Sequence, residues 1–325
     1  MNMLTATSNE TFFSSSSFIN AISRATAGGY NARSVTIGYS GTRRLMWAAQ
    51  SFQPYPLRRI WLAPYGLPAS PGWDGRLDKA VLKSIVSQLT GLLTASIVWN
   101  VRFDHLRIVE GLGELSFLVA KPVSTHILSL GPDHDCIFSG YNATIRNQIR
   151  KAQRAGVKVR EAGDATDLVE YYRIHASLAS QKGGYGRLYP ITLFQELLRN
   201  RDSVRLLIAE YEGKVVSGGL FFVDGCSVMY WHGASDRAYS AVFPSCVVIN
   251  EGIRWAKDSG AKFFNFGNSS NIVSLEQFKS FWGAHMEHNP VCVWRNPLWK
   301  SLGTLRAGLQ KALHPWRTKD PPDDR

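Results

Sequence analysis

"RLLIAEYEGKVVSGGLFFVDGCSVMYWHGASD", residues 205–236, holds three runs rich in apolar and aromatic residues, parted by turns at Gly213 and Gly225. Runs of this length with glycine-bearing breaks predict a meander of antiparallel strands. Downstream, PSCVVINEGIRWAKDSG (244–260) predicts a helix: Pro244 suits its start, Val247, Ile249, Ile253 and Trp255 recur at near-helical spacing, and Gly260 ends it. AKFFNFG (261–267) then predicts a strand and SLEQFKSFWGA (274–284) a second helix. Ser274 would cap that helix, with Gln277 at capping-box spacing, and HNPVCVWRN (288–296) predicts a closing strand. Upstream lie two helical patterns, ATDLVEYYRIHASLASQ (165–181), with Leu168, Tyr171, Tyr172 and Leu178 as its apolar face, and PITLFQELLRN (190–200). From 157 to 295 the order is strand, two helices, three strands, helix, strand, helix, strand, which suits an α/β (α+β) fold on a mixed, mostly antiparallel sheet.

The first half repeats part of that order. SVTIGYSG (34–41), RRLMWAAQSF (43–52) and LRRIWLAPYG (57–66) predict three strands; after a Pro/Gly-rich loop, DKAVLKSIVSQLTGLL (78–93) predicts an amphipathic helix and ASIVWNVRF (95–103) a strand. The pattern implies a duplicated fold, with an N-terminal domain at 1–138, a C-terminal domain at 139–295 and a basic amphipathic tail at 296–325. In that tail Leu298, Leu302, Leu305, Leu309 and Leu313 form one stripe. Such a helix docks on the core or rests on an anionic membrane face.

Composition sets the partners. With 45% hydrophobic and 19% charged residues in 325, the chain can bury a large core, and its formal net charge of +12 points to phosphate esters, nucleic acid or an anionic membrane. The N-terminus lacks a basic leader followed by an apolar run, so the expected location is the cytoplasm, including the inner face of the membrane. No stretch reaches the roughly 18 apolar residues of a spanning helix. Cys136, Cys226, Cys246 and Cys292 have no CxxC spacing, and HMEH (285–288) lacks the HExxH order, so neither a metal nor a disulfide framework is expected. No GxSxG elbow, Walker loop or dinucleotide fingerprint is present.

The charge is concentrated. TIRNQIRKAQRAGVKVR (144–160) has six cations and no acid, and residues 141–155 predict a helix with Ile145, Ile149 and Ala152 on one face and Arg146, Arg150 and Arg154 on another, Lys151 beside them. Two readings stand: a solvated face with carboxylate partners from elsewhere, or a phosphate-binding rim.

Two segments bear on that choice. RNQIRKAQRAGVKVR followed by a VEYYRIH helix, and SLEQFKSFWGA after a strand ending FNFG, together resemble the Fem-type peptidoglycan-bridge transferases. The resemblance covers about residues 139–295 and implies tandem GNAT-like domains in one chain. It also implies transfer of an aminoacyl group from tRNA, or of an acyl group from another activated carrier, to an amine on a cell-envelope peptidoglycan or polysaccharide precursor. The carrier, aminoacyl-tRNA or acyl-CoA, is then a co-substrate, with no permanently bound cofactor. The family's Phe-Lys pair falls on Phe278 and Lys279. An ammonium at the reacting ester would stabilise the tetrahedral oxyanion, an effect worth several kcal/mol; the plain alternative is an exposed lysine on a helix whose core face holds Leu275, Phe278 and Phe281. Arg146, Arg150, Lys151 and Arg154 become candidates for carrier or acceptor phosphates. CoA-binding GNAT domains carry R/Q-x-x-G-x-G/A, whereas the loop here, DRAYSAVFPS (236–245), has no glycine, which favours tRNA or another carrier.

Further candidates stand at predicted strand ends. Alternation turns Tyr230 and His232 to one side and Trp231 to the other; His232 is a candidate proton acceptor from the attacking amine, and Asp236 would orient it or bind the amine. A packed histidine and a turn aspartate are the ordinary readings of the same residues. Asn268 joins Tyr230 as a candidate substrate contact. The rivals are a CoA-dependent N-acyltransferase of the same fold and a non-catalytic RNA-binding protein that uses the basic helix.

Overall fold

The computed structural model describes Phe18, Ala21, Arg24 and Ala25, and residues 31–39, 43–51, 57–62, 76–77, 97–104, 107–108, 117–181, 188–224, 226–269 and 272–295. The tail at 296–325 and the expected helix at 78–93 lie outside the described residues.

One sheet of eleven strands organises the chain: β1 (Asn31–Tyr39), β2 (Arg43–Ser51), β3 (Leu57–Leu62), β4 (Ile97–Asp104), β5 (Phe117–Ser129), β6 (Lys158–Glu161), β7 (Val204–Tyr211), β8 (Lys214–Asp224), β9 (Ser227–Ser235), β10 (Phe263–Asn268) and β11 (His285–Arg295). Their order in space is β1-β2-β3-β4-β11-β5-β10-β9-β8-β7-β6. The duplication is visible in the pairings. β1, β2 and β3 pair antiparallel and β3 runs parallel to β4; β7, β8 and β9 pair antiparallel and β9 runs parallel to β10. At the centre the halves interlock, since β11 pairs with β4 and β5, while β5 pairs with β10.

Six α-helices are described: α1 (His134–Ser139), α2 (Ala143–Arg154), α3 (Ala165–Gln181), α4 (Ile191–Leu198), α5 (Pro244–Asp258) and α6 (Val273–Ser280). Alternation along β7 and β8 divides the second half into two layers. Leu206, Ile208, Leu220 and Phe222 face α3, α4 and the N-terminal residues Phe18, Ala21 and Ala25. Leu207, Ala209 and Phe221 face the other way, against Ile145, Ile149 and Ala152 of α2 and Val247, Val248 and Ile253 of α5. Each large side chain fully removed from water here contributes about 1.5–3 kcal/mol. α5 starts with Pro244 in its first turn, as expected, and is buried almost all round.

Three local expectations are corrected. α6 begins at Val273 with Ile272 as its cap and no side-chain capping bond, so Ser274 lies inside the helix. The register between β8 and β9 jumps from Leu220↔His232 to Phe221↔Tyr230, leaving Trp231 as the extra residue of a β-bulge. Alternation fails there: Tyr230 stacks on Phe221 in the α2/α5 layer, whereas Trp231 and His232 both enter the α3/α4 layer. The third is β5, thirteen residues the sequence pattern did not announce.

Candidate functional site

β9 and β10 pair only over Ser227–Met229 and Phe263–Asn265, then part. A parallel β–α–β unit puts the N-terminus of its helix beyond the C-terminal ends of its strands, so the start of α5, the end of β10 and the bulged end of β9 share one end of the sheet. Gly267 lies at the parting, with φ +70°, and a Cβ there would sit 3.3 Å from the Tyr230 carbonyl oxygen. The left-handed backbone and the close approach both require glycine.

Lys279 comes to this point from α6. It is the only buried residue of that helix, at 4% exposure, which removes the exposed-lysine alternative. Its Nζ donates to the carbonyls of Gly267 (2.8 Å) and Asn268 (2.9 Å). Burial pushes its pKa down to about 8, while the nearby Glu276 carboxylate opposes the shift.

The neighbours of Lys279 come from β5. Ser124 Oγ donates to Glu276 (2.6 Å), and Thr125 Oγ1 reaches Asn265 Oδ1 (2.9 Å) and the Gly267 carbonyl (3.1 Å). His126 Nδ1 lies 3.3 Å from Ser269 Oγ, whose residue is fully buried. Burial first, then the Lys279 charge, lower the His126 pKa and favour the neutral ring. None of Ser124, Thr125 and His126 was singled out from the sequence. The available signal was their alternation with Leu128, which places Ser124, His126 and Leu128 on one face.

Of the expected site residues, Asn268 and Lys279 are brought together, through the Asn268 carbonyl; Tyr230 approaches them by its backbone carbonyl beside Gly267, while its ring and that of Phe278 pack elsewhere. Tyr230 packs so closely over Gly233 that a Cβ there would stand 1.6 Å from its phenol oxygen, and burial holds its pKa above the ordinary tyrosine value. Phe278 meets Trp282 edge to face at 6.1 Å.

The basic helix divides its charges. Arg146 donates to the carbonyls of Ser139 (2.8 Å) and Tyr141, and so holds the end of α1. Arg150 lies over the Phe138 ring at 5.6 Å. Lys151 lies over Phe243, the cap of α5, at 5.1 Å, and so stands at the open end of the sheet. Arg154, in the last turn of α2, is exposed. Arg160, the last cation of the run, is bound by Asp167 and Glu210, both at 2.6 Å.

His232 and Asp236 stand apart. His232 Nδ1 bonds the Tyr171 hydroxyl (2.5 Å) and its ring lies edge to face on His175 at 4.5 Å, in the layer opposite Lys279. Asp236 accepts from the Ala238 amide (3.0 Å) and caps the turn that follows β9. A cavity of about 620 Å³ lies beside it, lined by Asp167, Glu170, Arg173, Glu210, Lys214 and Tyr239 among others. Among the described residues no group of His, Cys, Asp and Glu is arranged to hold a metal ion, and no helix is long and apolar enough to cross a membrane.

Comparison with known proteins agrees with the fold. Residues 139–280 match the family described as an acetyltransferase (GNAT) domain. The chain is 29% identical over 153 residues to the UDP-N-acetylmuramoylpentapeptide-lysine N(6)-alanyltransferase of Weissella viridescens, covering 46% of this chain and 45% of that protein. It is 26% identical over 129 residues to the lipid II:glycine glycyltransferase of Staphylococcus haemolyticus (strain JCSC1435), covering 36% of this chain and 31% of that one. The chain therefore spans less than half the length of these curated relatives. The crystal structure of FemX superposes with a TM-score of 0.68 at 14% identity, over 92% of this chain and 96% of that chain, a likeness of fold. The resemblance to Fem-type GNAT proteins is borne out, as is the mixed, mostly antiparallel sheet flanked by helices.

Proposed function

We propose that this chain is a Fem-like aminoacyltransferase that forms an amide on an amine of a cell-envelope precursor, with Lys279 at the reacting ester. The observation that carries the proposal is the burial of Lys279 at the parting of β9 and β10. An ammonium there spends two donors on backbone carbonyls and keeps a third for an oxygen that gains charge. Attack of an amine on an aminoacyl ester forms the C–N bond and puts negative charge on the former carbonyl oxygen. Collapse restores the carbonyl and breaks the ester C–O bond; the proton lost by the attacking nitrogen goes to the departing oxygen, so the carrier leaves with a free hydroxyl and the amide remains. Lys279 stabilises the charged intermediate without being consumed.

Lys151 and Arg154 supply charge toward an anionic carrier or acceptor. The first choice of donor is aminoacyl-tRNA, because the loop at the start of α5 lacks glycine; acyl-CoA is the rival. The basic tail would bring the enzyme to the inner membrane face, where lipid-linked precursors lie.

The test is incubation of the full chain with a lysine-containing muropeptide, nucleotide- or lipid-linked, and alanyl- or glycyl-tRNA, read by mass spectrometry. A product heavier by one aminoacyl residue is expected. Transfer from acyl-CoA alone would move the protein to the CoA-dependent class, and salt-dependent RNA binding without transfer to any acceptor would make it an RNA-binding protein.

A further inference from the structure

His126 is 1% exposed, its Nδ1 is spent on Ser269, and its Nε2 is buried with no hydrogen-bond partner among the described residues. An unpartnered buried nitrogen costs about 1–3 kcal/mol, so a residue that served only packing would be better replaced by an apolar one. The rest of its surroundings explain what it holds. Ser269 follows directly on Gly267 and Asn268, whose carbonyls bind the Lys279 ammonium, and the Ser269 amide is fixed to the Ser124 carbonyl at 3.1 Å. That short loop is therefore tied to β5 three times: by the Ser269 amide on the Ser124 carbonyl, by the Thr125 hydroxyl on the Gly267 carbonyl, and by the imidazole, which alone among the described residues holds the Ser269 side chain. Charged groups face His126 from two other elements: Lys279 and Glu276 from α6, and His285 from β11.

We propose that His126 is a positioning residue for Lys279: through Nδ1 and Ser269 it fixes the 267–269 loop so that the two carbonyls aim the ammonium into the parting of β9 and β10. The imidazole touches no reacting atom. It acts in the neutral form, because a protonated ring would set a second buried cation beside Lys279. The inference concerns how Lys279 is held; only its kinetic consequence rests on the transferase reading.

The experiment separates the two. Asparagine reproduces a polar atom near the Nδ1 position and glutamine one near Nε2, so His126→Asn should rescue what His126→Ala and His126→Gln lose. Lys279 is probed first without any substrate, by the pH dependence of its modification with an amine-selective reagent, measured by mass spectrometry on the folded chain. In His126→Ala and His126→Gln a loosened, wetter ammonium should shift that profile up by about one pH unit, whereas His126→Asn should stay near the parent. In aminoacyl transfer the Ala and Gln variants should lose about tenfold or more in kcat with KM within about twofold, and Asn should recover most of it. Unchanged Lys279 reactivity in all three variants overturns the inference, as does equal damage by Asn and Gln while thermal stability is intact. If the parent transfers nothing but its Lys279 profile still follows the Asn/Gln split, the transferase reading falls and the positioning stands. Should His126→Ala fail to fold, Ser269→Ala removes the same contact from the other side and must shift the profile in the same direction.

Discussion

The two faces of the second half-sheet each bury titratable groups, but they spend them differently. In the α3/α4 layer, Tyr171, His175, Tyr189, Trp231 and His232 form an aromatic cluster whose polar atoms bond one another: the Tyr171 hydroxyl meets His232, and His175 Nε2 accepts from the Tyr189 amide at 3.2 Å. Burial lowers the His175 pKa and raises that of Tyr171, so both favour their neutral forms. In the opposite layer a charge is retained: the Lys279 ammonium with two carbonyls, a carboxylate nearby and no bonded counter-ion among the described contacts. Neutral polar clusters stabilise a core when their bonds are complete, whereas a buried charge held only by dipoles costs stability. The second arrangement is what chemistry at an oxyanion requires, and the first is what packing requires.

The largest effect that would break this contrast is kinetic. Lys279→Ala should lower the transfer rate by about 10²–10³, the loss typical of one oxyanion donor, with substrate binding little changed. Steady-state kinetics with the muropeptide acceptor checks it, and comparable kcat in variant and parent would remove Lys279 from the mechanism. The same lysine should oppose itself in stability. Unfolded, its ammonium titrates at the ordinary 10.5; folded, at about 8. Between these values the unfolded chain holds more protons, so stability rises with pH across the window, and the full cost, about 3 kcal/mol for such a shift, is present below it. Thermal unfolding should therefore show a midpoint that climbs from pH 8 toward 10, while transfer declines over the same range as the charge is lost. In Lys279→Met the climb should flatten.

On the other face the expectation reverses. Tyr171→Phe leaves His232 Nδ1 without its hydroxyl and should cost about 1–3 kcal/mol of stability while kcat stays within a few-fold of the parent. Gly218→Ala drives a Cβ to 2.6 Å from the Tyr171 ring and 3.0 Å from the Leu207 carbonyl, an overpacking that should also cost about 1–3 kcal/mol. Chemical denaturation measures both. A kcat collapse in Tyr171→Phe at intact stability would return His232 to the chemistry and erase the distinction between the faces.

That distinction was only partly legible in the amino-acid order. The meander, α5, and the order of elements from 157 to 295 follow from strong periodicity and well-placed glycines, and Phe278-Lys279 was reached through family likeness. β5 was hidden by its own proline. Its register with β11 jumps between Val123↔Asn289 and Ala120↔Val291, so Pro122 on one strand and Pro290 on the other fall in the same irregularity, where neither must donate to the ladder. A proline that looks like a strand breaker marks a tolerated defect inside a long strand, and with it went Ser124, Thr125 and His126. The side-chain directions at 230–232 were lost to another bulge, since one extra residue reverses every later alternation. The burial of Lys279 was hidden because α6 is about two turns long, too short for its pattern to distinguish a core face from a charged one.

The smallest effect tests the basic helix, whose four candidate cations the sequence treats as equivalent and the structure does not. Arg146 is occupied by the carbonyls that end α1, so Arg146→Ala should reduce stability by about 1 kcal/mol and leave the salt dependence of carrier binding as it was. Arg154 is exposed in the last turn of α2, three residues on from Lys151, which lies over Phe243 at the start of α5. Arg154→Ala should leave stability within about 0.5 kcal/mol but weaken binding of an anionic carrier a few-fold, lowering the slope of log affinity against log salt by about one. Binding isotherms at several salt concentrations, beside denaturation curves for both variants, measure the two quantities independently. If Arg146→Ala lowers the slope and Arg154→Ala does not, the carrier lies along α1 instead of at the parting of β9 and β10, and Lys279 would have no ester to reach.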